Sequence, residues 1–359
     1  MRRKSRVVKI GNIKIGGNNP VVVQGMTKTL TEDIPSTIKQ IHQLQKAGAG
    51  IVRLAVPNIR AAKSISTIKK EIEVPLVADI HFSLELALES IKQGIDKIRI
   101  NPGNMSEEKI IQITQKAQEK GIPIRIGINS GSLKGISPSE KKNKERKEEH
   151  QRIVARRMVE SALETINLLE KENFREIVIS LKSSDVLATI LSYQLISKKT
   201  IYPLHLGVTA AGPIFSGLIK SAIGIGSLLM QGIGDTLRVS LTDSPVEEVK
   251  AGYEILKSLN LSQHGPIIIS CPGCGRCKVD LKLVINNLLP QLEKIKFPLK
   301  IAIMGCEVNG PGEAKEADVG VAYIKGAGVI FRKGEIIARV KEDKIPEALL
   351  KEAKKLIPK

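Results

Sequence analysis

Hydrophobic positions along the first two thirds of the chain gather into short runs separated by amphipathic stretches. The runs are VVVQGM from Val21, IVRLAV from Ile51, PLVADIH from Pro75, KIRIN from Lys97, IPIRIGIN from Ile122, EIVISLK from Glu176, YPLHLGV from Tyr202 and DTLRVSL from Asp235. Each is rich in Val, Ile or Leu and too short for a helix, so each predicts a buried strand. The intervening segments 34–47, 106–120, 153–172 and 246–259 carry apolar residues at helical spacing, and Gly48, Gly94 and Gly121 stand where helix C-caps belong. Eight such alternations predict a (β/α)8 TIM-like barrel over residues 1–262 rather than an open doubly wound sheet.

Beyond residue 262 the pattern changes. IIISC from Ile267, a helical pattern over 280–295, LKIAIMGC from Leu299 and DVGVAYI from Asp318 are followed by GVIFRKGEIIARV, a hairpin turning at Lys333 and Gly334, and a final helix over 346–356. These predict a smaller α+β domain over 263–359.

Polar residues in the first domain collect at the C-terminal ends of the strands, where barrel enzymes build their sites: Gln24, Asp79, His81, Asn101, Asn129, Lys182 and Thr209. Arg53, Arg99, Arg125 and Arg238 lie inside otherwise apolar strands, and a buried guanidinium is costly unless it meets an anion. Any one of them reads most simply as a salt-bridged structural arginine. Together with Lys182 they predict a ring of cations able to grip phosphate bidentately. His205 reads equally well as a hydrogen-bonded core histidine, and Asp79 and His81, two residues apart on one strand face, as a mutual pair.

Composition narrows the field. Lys and Arg total 56 against 37 acids, a net charge of +19, which suits nucleic acid, an acidic surface or a small anion. Aromatics make up only 3% with no Trp, and there is no zinc-finger spacing, so a nucleic-acid partner is poorly supplied. Part of the excess is bland, since Lys and Glu alternate over 141–147 as in a solvated loop or helix face. No run approaches the roughly 18 apolar residues a membrane helix needs. The basic start is not followed by an apolar signal core, so a cytoplasmic protein without membrane attachment is expected.

All four cysteines fall between Cys271 and Cys306. SCPGCGRC sets Cys271, Cys274 and Cys277 at CxxCxxC spacing on a Gly/Pro turn, and Cys306 follows in MGCEVNGPGEA. Spacing alone assigns all four to a 4Fe-4S cluster, with Glu307 or Glu313 as incidental acids; a structural zinc site is the alternative.

These residues also carry a resemblance to the GcpE (IspG) family of bacterial 4-hydroxy-3-methylbut-2-enyl diphosphate synthases. It runs through VVVQGMT, VRLAVP, PLVADIHF, IRINPGN, IPIRIGINSGSL, LKSSDV, LHLGVT, KSAIGIGSLLMQGIGDTLRVSL, SCPGCGR and GCEVNGPGEA. The resemblance implies reductive ring opening and dehydration of a cyclic methylerythritol diphosphate in isoprenoid precursor synthesis. It implies ferredoxin or flavodoxin as electron donor and a head-to-tail homodimer in which one subunit's cluster domain caps the other's barrel. By motif it implies a 4Fe-4S cluster held by Cys271, Cys274, Cys306 and Glu313, which makes Cys277 a bystander. It implies that Arg53, Arg99, Arg125, Lys182 and Ser240 hold the diphosphate. Asp79, His81, Asn101, Asn129 and His205 would then line the site, with Asn309 beside the cluster and Asp79, His81 and Glu313 closest to the chemistry.

The chain departs from the family where TEAG is usual: Thr209, Ala210, Ala211 and Gly212 leave it without an acid that the resemblance marks as a proton donor. General acid help is worth about 10² to 10⁴ in rate. This departure opens a second reading, a substrate-binding but catalytically impaired variant. Gly25, Lys278 and the Ala322, Tyr323 pair are smaller departures.

Overall fold

The computed structural model describes residues 2–133, 144–308 and 314–358. The chain divides into two compact units, Met1–Ser262 and Gln263–Lys359.

The first unit opens with an antiparallel hairpin, β1 (Val8–Ile10) and β2 (Ile13–Ile15), turning at Gly11 with φ 56°. Eight parallel strands follow: β3 (Val22–Met26), β4 (Ile51–Ala55), β5 (Leu76–Asp79), β6 (Lys97–Ile100), β7 (Ile124–Asn129), β8 (Ile177–Lys182), β9 (His205–Leu206) and β10 (Thr236–Leu237). Their order is β8-β7-β6-β5-β4-β3-β10-β9, and a single bridge between Ile179 and Leu204 joins the two ends, so the sheet closes as a barrel. The last two strands are only two residues long, although the sequence pattern predicts seven-residue runs there. Gly207 falls inside the first of these runs, directly after the last residue of β9, and past β10 the Arg238 amide still bonds the Leu206 carbonyl at 3.0 Å.

Helices α1 (Ile34–Lys46), α2 (Ile59–Lys70), α3 (Leu84–Lys92), α4 (Glu107–Glu119), α5 (Lys144–Lys171), α6 (Val186–Ser197), α7 (Ile214–Met230) and α8 (Pro245–Ser258) form the outer layer. Most start on a side-chain cap close behind a strand: Asp33, Asn58, Ser83, Asp185 and Ser244 each accept a backbone amide of the first turn. The caps end the βα loops abruptly and fix where each strand's last residues point. α5 begins nine residues before the predicted start, so the charged stretch from Lys144 on is helical; residues 134–143 lie outside the described residues.

Alternate strand residues split between two cores. Ile98, Ile100, Ile124 and Ile126 pack outward against the helices. Ile51, Val77 and Val178 pack inward with Val8, Ile10 and Ile15, so the hairpin closes the N-terminal end of the barrel with a dry floor. Arg2 and Ser5 bond Asp235, which holds the segment ahead of the hairpin against the start of β10.

The second unit is a five-stranded sheet of β11 (Ile267–Ser270), β12 (Lys300–Met304), β13 (Val319–Ile324), β14 (Ala327–Arg332) and β15 (Glu335–Lys341), with α9 (Leu281–Leu292) and α10 (Ile345–Lys355). Spatial order equals chain order; the first three strands are parallel and the last two antiparallel. The hairpin turns at Lys333 and Gly334, with φ 46° and 84°, the left-handed pair that a two-residue hairpin turn demands.

Candidate active site

Strand register decides which polar residues face one another inside the barrel. Asp79 of β5, Arg99 of β6 and Arg125 of β7 are lateral neighbours. Asn129 of β7 pairs with Lys182 of β8, and His205 of β9 with Thr236 of β10. The sequence thus brings most of its predicted residues into one interior.

The contacts there separate structural from unsatisfied cations. Arg99 is fully engaged: it reaches Asp79 Oδ1 at 3.2 Å, His81 Nε2 at 2.7 Å and the Gly127 carbonyl at 2.8 Å. Asp79 and His81 also pair with each other at 3.5 Å, as their spacing allows. Arg238 is the structural arginine of the set, held by Glu248 at 2.9 and 3.2 Å. The others find weaker partners. Arg53 meets the Met26 sulfur at 2.8 and 3.0 Å, and Arg125 donates to Gln24 Oε1 at 3.3 Å while its Nε finds no partner. Lys182 Nζ lies 3.3 Å from His205 Nε2, and His205 Nδ1 lies 2.8 Å from Thr236 Oγ1. Among the described residues no carboxylate lies within ion-pair distance of Arg53, Arg125 or Lys182.

This imbalance governs the proton states. Burial opposes ionisation of Asp79, but Arg53, the His81 hydrogen bond, Arg99 and Arg125 override it and hold the carboxyl well below the usual carboxylate range. Burial, then Arg125, Lys182, Lys97 and Arg53, push His205 well below its ordinary value, so it stays neutral. Burial followed by Arg53 and Arg125 lowers Lys182 in the same way. An interior with this much uncompensated positive charge is arranged for an anion.

Asn101 caps the turn after β6, its Oδ1 accepting from the Gly103 amide at 3.3 Å and the Ser132 hydroxyl at 3.4 Å. Asn129, the last residue of β7, and Ser240, past the end of β10, are half-buried, and the Asn129 carbonyl accepts from the Ser132 hydroxyl at 2.7 Å. Ala210 is exposed, in the left-handed region at φ 49°.

Several residues that matter were not singled out in the sequence. A Cβ on Gly127 would stand 2.3 Å from Arg99 Nε, and one on Gly207 would stand 2.6 Å from Lys182 Nζ, so both glycines make room for cations. A lone glycine inside a strand is the signal for such close approach. Thr236, which orients the His205 ring, gives no comparable signal.

In the second unit the four cysteines are free thiols around one small cavity of about 140 Å³, lined also by Pro272, Gly273, Arg276 and Gly305. The Cys271–Cys277 turn rests on Gly305: the Lys278 amide bonds the Gly305 carbonyl at 2.9 Å and the Gly305 amide approaches Cys271 Sγ at 3.4 Å. A Cβ on Gly305 would stand 2.3 Å from Cys277 Sγ, so only glycine admits the turn. Cys277 donates to the Val279 carbonyl at 3.2 Å, Cys306 is buried and Cys274 exposed. Soft thiolates around one cavity fit an iron-sulfur group. Among the described residues no three His, Cys, Asp or Glu side chains already stand at metal-binding distance, and Asn309 and Glu313 lie outside the described residues.

Two family models cover the chain: the GcpE TIM-barrel domain over residues 5–253 and the GcpE protein C-terminal domain over 267–355. A protein of Caldanaerobacter subterraneus subsp. tengcongensis is 54% identical over 358 residues, 99% of this chain and 98% of its own. Proteins of Fusobacterium nucleatum (52%, 99% and 98%) and Clostridium acetobutylicum (52%, 98% and 98%) are similar over the same span. All three are named 4-hydroxy-3-methylbut-2-en-1-yl diphosphate synthase (flavodoxin). Among solved structures, dihydropteroate synthase from Stenotrophomonas maltophilia superposes with a TM-score of 0.53 at 14% identity, over 71% of this chain and 97% of that one, a likeness of fold alone.

Proposed function

The chain belongs to the GcpE family, and from that membership we propose that it is a 4-hydroxy-3-methylbut-2-enyl diphosphate synthase. It opens the ring of a cyclic methylerythritol diphosphate, takes up two electrons and a proton, and releases water and a linear allylic diphosphate. The observation that carries this reading is the interior set Arg53, Arg125 and Lys182, basic groups at the C-terminal end of a barrel with no carboxylate partner among the described residues. The whole-length similarity to enzymes so named supports it and lends nothing to the impaired-variant reading, so turnover by the chain with Ala210 is expected.

Arg53, Arg99, Arg125, Lys182 and Ser240 hold the diphosphate, each good charged hydrogen bond contributing roughly 1.5 to 3 kcal/mol. Asp79, kept ionised, orients Arg99 and His81 toward the mouth, and neutral His205 holds Lys182 without adding charge. Asn101 and Asn129 shape the rim. Cys271, Cys274, Cys306 and Glu313 hold a 4Fe-4S cluster, which supplies electrons one at a time when bound. Glu313 would supply the one hard, readily exchanged ligand among the four.

The cations lie in one unit and the cysteines in the other, and one substrate has to meet both. A head-to-tail homodimer, with each cluster domain over the partner's barrel, answers that need. Reductive chemistry and four free thiols suit the cytoplasm, with flavodoxin or ferredoxin as donor.

The test is iron, sulfide and turnover on one anaerobic preparation. About four irons per chain and conversion of the cyclic diphosphate are expected. Cys277→Ser should keep the irons and Cys306→Ser should lose them; equal loss in both would return the all-cysteine ligand set, and zinc in place of iron would end the proposal.

A further inference from the structure

Lys97, the first residue of β6, is not among the residues assigned to the diphosphate, although it already bears on the His205 imidazole. It is 0% exposed, and its Nζ has no hydrogen-bond partner. Its register partner is Val77, which packs on the floor formed by the N-terminal hairpin, so Lys97 stands inside the barrel one layer below Arg99. The buried floor residues beneath it, Val8, Ile10 and Ile15, are apolar.

The charged groups facing this interior from the surrounding strands are mostly of one sign. β4 offers Arg53, β7 Arg125 and β8 Lys182, an amine itself lowered by burial but with His205 Nε2 at 3.3 Å, and just past β10 lies Arg238, compensated by Glu248. β5 offers Asp79, which is already shared between Arg99 and His81, and β9 offers His205, a neutral imidazole. An ammonium here would lack both a solvent shell and an anion, a state proteins avoid by shedding the proton. Burial, then Arg125 and Arg53, push the Lys97 amine well below its ordinary value.

We propose that Lys97 is an uncharged amine in the empty barrel and takes a proton when a diphosphate seats in the ring above it, so that substrate enters as an anion accompanied by a proton. The inference rests on the diphosphate reading of the ring. The anion supplies the negative charge the interior lacks, and linkage then requires that whatever favours the anion favours the proton equally. Ring opening makes this useful. Breaking the carbon–oxygen bond turns a phosphodiester oxygen into a terminal phosphate oxygen, so the product diphosphate carries one more negative charge than the substrate. A cation beneath the ring helps to hold that charge.

The measurement is calorimetric binding of the cyclic diphosphate to the oxidised holoenzyme, without reductant, in two buffers of different ionisation enthalpy. The cyclic compound is a phosphodiester with no proton of its own to exchange near neutrality, so any proton counted belongs to the protein. Uptake approaching one proton per anion is expected in the wild type, with the dissociation constant rising by up to tenfold per pH unit where uptake occurs. Lys97→Met should abolish the uptake and flatten that dependence, and His205→Asn should retain it. No uptake in the wild type overturns the inference whatever the variants do. Uptake that survives in Lys97→Met assigns the proton to Lys182 or His205 and overturns it too. If the cyclic diphosphate fails to bind the wild type at any pH, the diphosphate reading itself falls and the inference with it.

Discussion

Arg125 shows most clearly how one residue reveals a ligand. It is 1% exposed, reaches Gln24 at 3.3 Å, and among the described residues has no carboxylate within ion-pair distance. A purely structural arginine in this fold looks like Arg238, clamped by both oxygens of Glu248. Arg125→Ala should therefore weaken binding of the cyclic diphosphate by roughly 1.5 to 3 kcal/mol, the range for hydrogen bonds to charged groups. Iron and sulfide content should not change. Unaltered affinity in a titration would make the ring a set of packing residues. In the sequence the arginines were legible only as polar interruptions of apolar runs, so Arg238 read like the other three. What separates them is the partner, and Glu248 belongs to a helix whose reach into the interior no strand pattern encodes.

At the level of elements, strand positions and the βα alternation were readable because Val and Ile runs, caps and glycines all point the same way. Less was readable at β9 and β10, where seven-residue patterns yield two-residue ladders. The N-terminal hairpin was also missed: Val8, Ile10 and Ile15 alternate over too few residues to stand out before packing buries them. The cation ring depends on these elements through two glycines. Gly127 lies on β7 where Arg99 crosses it, and its missing side chain leaves room for the guanidinium. Gly127→Ala should displace Arg99 from the Gly127 carbonyl and from Asp79, destabilising the fold by about 1 to 3 kcal/mol, as overpacking does. It should weaken anion binding at the same time. Thermal melting and anion titration check the two effects, and a variant that melts and binds as the wild type does would show that Arg99 can shift without cost.

The whole molecule carries a net charge of +19, far more than the residues around one diphosphate account for. Arg152 and Arg156 on α5, His42 and Lys46 on α1 and Lys70 on α2 line surface hollows away from the barrel interior. A charge of this size acts at a distance: it draws in anionic partners, raises their association rate and loses that effect as salt shortens the Debye length from about 10 Å at 0.1 M to 3 Å at 1 M. On the proposed function two partners approach the chain, the small diphosphate and the electron-donor protein, and salt tells them apart. Steering scales with the partner's charge and the area over which it acts, so the donor protein should respond to salt more steeply than the substrate. The expected result is that turnover driven by flavodoxin falls several-fold between low and 0.5 M salt, while turnover driven by a small chemical reductant, at saturating cyclic diphosphate, changes little. Parallel salt dependence with both reductants would place the effect at the diphosphate site or the fold, and would leave the surface charge without a role in electron delivery.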